Sequence, residues 1–160
     1  MTTIIKTSRG VEVLIDPETL DIIGGRSVFL RNGYPSIWLD GKRKIQYLHR
    51  LVMDAPKKVQ VDHIDGNKLD CRRTNLRLCT HAGNMRNCRM RKNNTSGRKG
   101  VSWHRKSGKW QAQIRVNGKL IHIGLFEFPD EAATAYDQAA MKLHGEFALT
   151  NEMVLSWPTA

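Results

Sequence analysis

The sequence predicts an α+β chain: a small N-terminal β-sheet and a strand–loop–strand–helix unit, then a three-stranded antiparallel sheet packed on one α-helix. Three observations carry this. Apolar runs of strand length recur between Gly, Asn and Asp turn signals, a stretch near the C-terminus has the period of an amphipathic helix, and a polar basic segment divides the two halves. With 160 residues and 40% apolar content, the chain has room for one ordinary domain or two small ones. The expected division is residues 1–90, a basic linker at 91–96, and residues 97–160.

In the first third, residues 11–15 form a strand after Arg9-Gly10, and residues 27–30 form one before the Asn32-Gly33 turn. Residues 34–40, the Gly41-Lys42 turn and residues 45–49 read as a hairpin. Residues 48–53 are apolar enough for a short helix, ended by Ala55-Pro56. A strand at 59–64 leads into the Asp65-Gly66-Asn67 turn, a second strand takes 76–79, and Thr80 caps a helix reaching about Arg89. Past RMRKNNTS (89–96), strands are expected at 100–104, 110–116 and 120–126. Lys106-Ser107-Gly108 and Asn117-Gly118 separate them, the second being a strong hairpin signal. Asp130 is the expected cap of a helix ending near His144, with Gly145 just beyond it. Ala132, Tyr136, Ala139, Ala140 and Leu143 share its apolar face, where the alanines allow close approach to the sheet.

The formal net charge is +11 and the isoelectric point is near 10.0, which points to a polyanionic partner. The excess is concentrated: residues 49–95 hold eleven Lys and Arg against four Asp and Glu. Residues 96–126 hold seven basic side chains and no acidic one, whereas 127–160 hold Lys142 against six acidic ones. A fold that separates those two stretches presents one cationic face, as a surface laid on phosphates requires. Cys71, Cys79 and Cys88 are odd in number and make no C-x-x-C pair, so neither a disulfide framework nor a zinc ribbon is indicated. No apolar run approaches membrane-spanning length, so no membrane association is expected and a cytoplasmic location is.

Chemistry is concentrated in VDHIDGNKLDCRRTNLRLCTHAGNMRN, residues 61–87. Phosphodiester cleavage needs a base to activate water and a cation to stabilise charge on the phosphate and the departing oxygen. A histidine supplies such a base near neutral pH, and an aspartate beside it is a hard oxygen ligand of the kind Mg²⁺ prefers. Asp62 and His63 are that pair, and Asn75 and Asn84 follow in order.

At Asp62-His63…Asn75…Asn84 the chain resembles the HNH endonucleases, particularly the homing endonucleases of phages and introns. The similarity covers roughly residues 45–90 and implies a ββα-metal nuclease core. It implies His63 as general base, Asn75 as the residue that orients it, and Asp62 and Asn84 as ligands of one divalent cation. Asn84, where many members have histidine, favours Mg²⁺ or Mn²⁺ over softer transition metals, and no structural zinc is expected. His49-Arg50 matches a His-Arg frequent upstream of the motif, with a structural or phosphate-binding role. Arg72, Arg73, Arg77, Arg86, Arg89 and Arg91 exceed what solubility needs, and several should touch phosphate.

Residues 97–151 resemble the DNA-binding domain of plant ethylene-response factors, the APETALA type, through KGVSWH, GKWQAQIRVNGK, IGLF and DEAATAYDQAAMKLHG. That family lays its sheet in the major groove. By position, Lys99, His104, Arg105, Gln113, Arg115, Lys119 and His122 become contact candidates, and Trp103 a candidate for stacking on sugars or bases. Ser102 and His122 replace the arginine and tryptophan common in plants, so the plant recognition sequence does not carry over.

Together these readings imply a metal-dependent, site-preferring DNA endonuclease acting on double-stranded DNA. A single centre implies strand nicking by a monomer, with a dimer or a second visit as the route to double-strand cleavage. The resemblance implies a phage protein in a bacterial host. The alternative is a non-catalytic, sequence-preferring DNA-binding regulator that keeps the nuclease fold as a platform. RNA binding is a third reading, but the paired aromatics of common RNA-binding sheets are absent.

Overall fold

The computed structural model describes residues 1–39, 41, 44–87, 90 and 94–156, with the backbone alone described for Ala82, Arg86 and Ser156. Two compact units emerge, Met1–His81 and Ala82–Ala160.

The first unit is built from short antiparallel pairs. Strands β1 (Thr3–Lys6) and β2 (Glu12–Ile15) form a hairpin, and the short helix α1 (Thr19–Ile23) follows. Strands β3 (Phe29–Arg31), β4 (Tyr34–Leu39) and β5 (Lys44–Tyr47) form a meander in that order. Asn32 and Gly33 join β3 to β4 with φ of 53° and 79°, the left-handed pair of a two-residue hairpin turn. The chain then enters α2 (Leu48–Val52), runs into β6 (Gln60–His63), and returns antiparallel as β7 (Leu76–Cys79). A single 3₁₀ turn, Arg73–Asn75, precedes β7. One core unites these pieces: Val13, Ile15, Ile23, Val28, Ile37, Leu48, Val52, Val61, Cys71 and Leu76 are buried in one cluster. The N-terminal hairpin also binds the β6–β7 connection directly. Leu14 N–H donates to Leu69 O at 2.9 Å, and Cys71 N–H donates to Leu14 O at 2.8 Å.

The six-residue helix α3 (His81–Arg86) starts where the first unit ends. In the second unit, β8 (Val101–His104), β9 (Lys109–Val116) and β10 (Lys119–Phe126) make an antiparallel sheet with β9 in the centre. Helix α4 (Pro129–His144) covers one face. Its buried residues Ala132, Tyr136, Ala140 and His144 recur every fourth position, and Ala112 and Ile114 of β9 meet them from the sheet. Small alanines bring the helix close, and Gly100 is the extreme case. A Cβ there would lie 2.0 Å from the Tyr136 ring, and φ is +75°. A further short helix, α5 (Asn151–Ser156), is tied back by one side chain. Asn151 accepts from Lys99 N–H at 2.6 Å and donates to Lys99 O at 3.3 Å and to Asp137 Oδ1 at 2.8 Å.

Among the described residues no helix is long and apolar enough to cross a membrane. The architecture is α+β, with several small antiparallel sheets and a helix packed on a three-stranded one, as the sequence predicts. Helix α4 differs in its details. Phe128 rather than Asp130 stands at the cap position of α4, because Pro129, with its fixed φ and missing N–H, takes the first helical position. Asp130 lies in the first turn and accepts from Arg98 Nη2 at 2.7 Å. Leu143 is 39% exposed while His144 is buried, since the strict fourfold ridge from Ala132 reaches position 144.

Candidate active site and nucleic-acid surface

Asp62 and His63 close strand β6, in register with Arg77 and Leu76 of β7, and both are 6% exposed. Neighbours in a strand point to opposite faces, so the two side chains enter different surroundings. Asp62 faces its cross-strand partner. Arg77 Nε and Nη2 both donate to Asp62 Oδ2, at 2.9 and 2.7 Å.

His63 enters an aromatic cluster. Its ring lies 5.1 Å from that of His49, edge to face, and 5.8 Å from that of Tyr34. Tyr34 and Tyr47 flank His49 in turn, at 5.2 and 5.5 Å. The Lys68 ammonium sits 4.3 Å over the Tyr34 ring. Burial is the largest influence on His63 and lowers its pKa below the usual histidine value, while Asp62, Asp65 and Asp70 pull it the other way. His49 is pushed down to about 3, first by burial and then by the charges of His63 and Arg50. Both rings are therefore held as neutral imidazoles near pH 7.

Asn75 is buried on the 3₁₀ turn, and its amide reaches backbone at both ends. Oδ1 accepts from Asp65 N–H at 3.1 Å, Nδ2 donates to Asp70 O at 3.0 Å, and Asn75 O accepts from Ile64 N–H at 2.8 Å. The loop that follows His63 is thus fastened along its length. Asp70 is 1% exposed and pairs with the Arg72 guanidinium, while Asp16 Oδ2 accepts from Arg73 N–H at 2.7 Å. Asn84 is half-buried on α3.

The arginine candidates divide by what their heads touch. Arg50 donates to three carbonyls, Val59 O at 2.7 Å, Ala55 O at 3.0 Å and Pro56 O at 2.7 Å. His49 beside it is 7% exposed. Arg72 and Arg77 are engaged by Asp70 and Asp62. Arg73 is exposed. The side chain of Arg86, and Arg89 and Arg91 altogether, lie outside the described residues.

On the second unit, register sorts the candidates by face. Ala112 is buried under α4, so Gln111, Gln113 and Arg115 project from the opposite, open face of β9. Their cross-strand partners Ser102, His122 and Leu120 share it, as do His104 and Lys109. Arg105 and Lys119 are exposed at the two hairpin turns. Trp103 does not belong to this face. It pairs in register with Trp110 and packs edge-on against it at 5.1 Å, on the side that α4 covers. Lys99 precedes the sheet, its backbone held by Asn151.

Several residues went unread in the sequence. Gln111, whose Nε2 lies 2.9 Å from His122 Nδ1, could have been found by stepping back two positions from Gln113. Tyr34 and Lys68 carry no local signal, because only tertiary packing brings them to His63.

Which cation the first site could take follows from its donors. The Asp62 carboxylate is a hard oxygen donor of the kind that fits Mg²⁺ or Mn²⁺. Among the described residues no three His, Cys, Asp or Glu side chains cluster so as to hold a metal ion. Any cation at Asp62 would thus draw further ligands from water or phosphate.

Residues 46–86 match the HNH endonuclease family, and residues 96–146 match the AP2 domain. The chain is 33% identical over 119 residues to Protein 3.8 of Escherichia phage T7, covering 74% of this chain and 98% of that protein. It is 30% identical over 155 residues to an uncharacterized HNH endonuclease, L560, of Acanthamoeba polyphaga mimivirus, covering 94% of this chain and 80% of that protein. A 55-residue stretch is 49% identical to the AP2-like ethylene-responsive transcription factor CRL5 of Oryza sativa subsp. japonica, covering 33% of this chain and 9% of that protein. No solved structure matches the chain.

Proposed function

We propose, given that this chain belongs to the HNH endonuclease family and joins an AP2 domain to it, that it is a metal-dependent, site-preferring DNA endonuclease of nicking type. The observation that carries the reading is the seating of His63. It ends a strand beside Asp62, its ring is walled by His49 and Tyr34, and burial keeps its imidazole neutral.

In this reading neutral His63 takes a proton from a water molecule, which attacks the phosphorus in line. By the family pattern, Asp62 and Asn84 would hold one Mg²⁺ or Mn²⁺. That ion would neutralise charge developing on the phosphate and the departing 3′ oxygen. Asn75 keeps the loop after His63 in place through Asp65 N–H and Asp70 O, so it positions the base through backbone. The products are a 5′-phosphate and a 3′-hydroxyl. One centre cuts one strand per encounter, so a monomer nicks. Duplex DNA binds to the open sheet face, where Arg115, Gln111, Gln113, His104 and His122 stand together. Phosphate contacts there supply affinity that falls with salt, and the amides and imidazoles supply sequence preference.

A non-catalytic, DNA-binding regulator is the second reading. It draws on the identity to a plant transcription factor, which is confined to the AP2 stretch. Incubation with supercoiled plasmid and Mg²⁺ separates the two. Open-circle product that disappears with EDTA and in His63→Ala supports the nuclease. Binding without any cut under Mg²⁺ or Mn²⁺ makes the regulator the better account.

A further inference from the structure

Arg77 stands directly across the β6–β7 pair from Asp62. Its Nε and Nη2 converge on one carboxylate oxygen, and the two side chains are only 14% and 8% exposed. Such a pair does two things. Two charge-assisted hydrogen bonds from a planar fork fix the carboxylate in one orientation. The guanidinium also cancels the charge that would attract a dication. Asn84, the other ligand in the proposed reading, is neutral. Among the described residues no third acidic or imidazole group joins a metal-holding cluster. The Arg77 guanidinium therefore offsets the charge that Asp62 itself would bring to a cation, and a DNA phosphate carries the further charge such an ion needs.

We propose that Arg77 is a positioning residue for Asp62, and that its charge makes cation loading at Asp62 conditional on bound DNA. The proposal rests on the reading of Asp62 as a cation ligand. The cation then arrives with, or after, the phosphate that completes its shell. Because coupling between two ligands is reciprocal, the cation strengthens DNA binding by the same factor. Free protein at cellular Mg²⁺ stays largely unloaded.

Manganese binding by the full-length chain, read by electron paramagnetic resonance with and without a DNA duplex, tests this. The comparison uses a His63→Ala background so that the duplex stays intact. Mn²⁺ should bind at least about tenfold more tightly with duplex than without. Arg77→Gln keeps a hydrogen-bond donor and removes the charge, so it should raise DNA-free Mn²⁺ affinity about tenfold and narrow that gap. A folded Arg77→Gln that binds free Mn²⁺ no more tightly than its parent overturns the proposal. If Arg77→Gln does not fold, Arg77→Lys decides. The charge is kept, so DNA-free Mn²⁺ affinity should stay within about twofold of the parent, and tighter binding overturns the electrostatic part. With His63 intact, Arg77→Lys should lower kcat while leaving KM for DNA unchanged, because the lost fork loosens Asp62. Full kcat overturns the positioning part. Asp62→Asn distinguishes the levels. If it binds Mn²⁺ as well as its parent on DNA, Asp62 is not a ligand and the nuclease-site reading itself fails. If it loses Mn²⁺ while Arg77→Gln changes nothing, only the role of Arg77 falls.

Discussion

The buried ring of His49 makes the first unit sensitive to acid in a way that can be worked through. Its pKa is lowered from 6.5 to about 3, chiefly by burial, and its Nδ1 is buried with no hydrogen-bond partner among the described residues. The unfolded chain takes up a proton below pH 6.5, and the folded chain takes it up only near pH 3. Stability from this residue is therefore full above about pH 6.5 and is lost progressively as pH falls toward 3. The loss is about 2 kcal/mol between pH 7 and pH 5, and about 3 kcal/mol by pH 4. His63, lowered in the same direction, adds to the slope without changing its sign. His49→Phe keeps an aromatic ring against Tyr34, Tyr47 and His63 and removes the titrating group. Urea unfolding followed by circular dichroism at pH 7, 6 and 5 would compare the two chains. Between pH 6 and 5 the variant should lose about 1.2 kcal/mol less than the parent, close to the effect of one proton. Identical slopes would refute the reasoning and mean that His49 takes up its proton in the folded state.

Further expectations concern the scaffold and the sheet. Gly100→Ala puts a methyl group into the Tyr136 ring at a positive φ, so it should destabilise the second unit by about 3 kcal/mol or more, seen as a lower thermal midpoint. Arg50→Met removes three carbonyl contacts and should cost about 2–4 kcal/mol of stability, while the salt dependence of DNA binding stays as it was. Arg115→Ala, on the open face, should do the reverse: thermal stability holds, and the slope of log affinity against log salt falls by about one.

How far these features could be read from sequence depended on how local their cause is. The Asn117-Gly118 turn is dictated by two adjacent residues that tolerate positive φ, and they adopt 49° and 81°. The β7 strand falls on residues 76–79 as expected. Strand β1 and helices α1 and α5 were not anticipated, since each has at most six residues, too few for its period to stand out. In the candidate site, the order of Asp62, His63 and Asn75 was legible because one short stretch of sequence carries all three. The partners that set their environment were not. Arg77 reads as one more basic residue until the strand register places it opposite Asp62, and Tyr34 lies 29 positions from His63. Trp103 shows how register adds to sequence, since pairing with Trp110 sets it on the face opposite Gln111 and Arg115 while 49% of it stays exposed.

The tie between Leu14 and residues 69 and 71 bears on how such proteins can be recombined. The HNH match begins at residue 46, yet Val13, Ile15, Ile23, Val28 and Ile37 lie in the same core as Val61 and Leu76, and the backbone of β2 holds the loop that follows His63. The recognisable motif is therefore smaller than the object that folds. Grafting residues 46–86 onto a foreign N-terminus would transfer every named site residue up to Asn84 and leave behind half the wall that keeps them apart from water. Exchange between relatives should succeed with a breakpoint after the hairpins and the motif together, and fail with one placed between them.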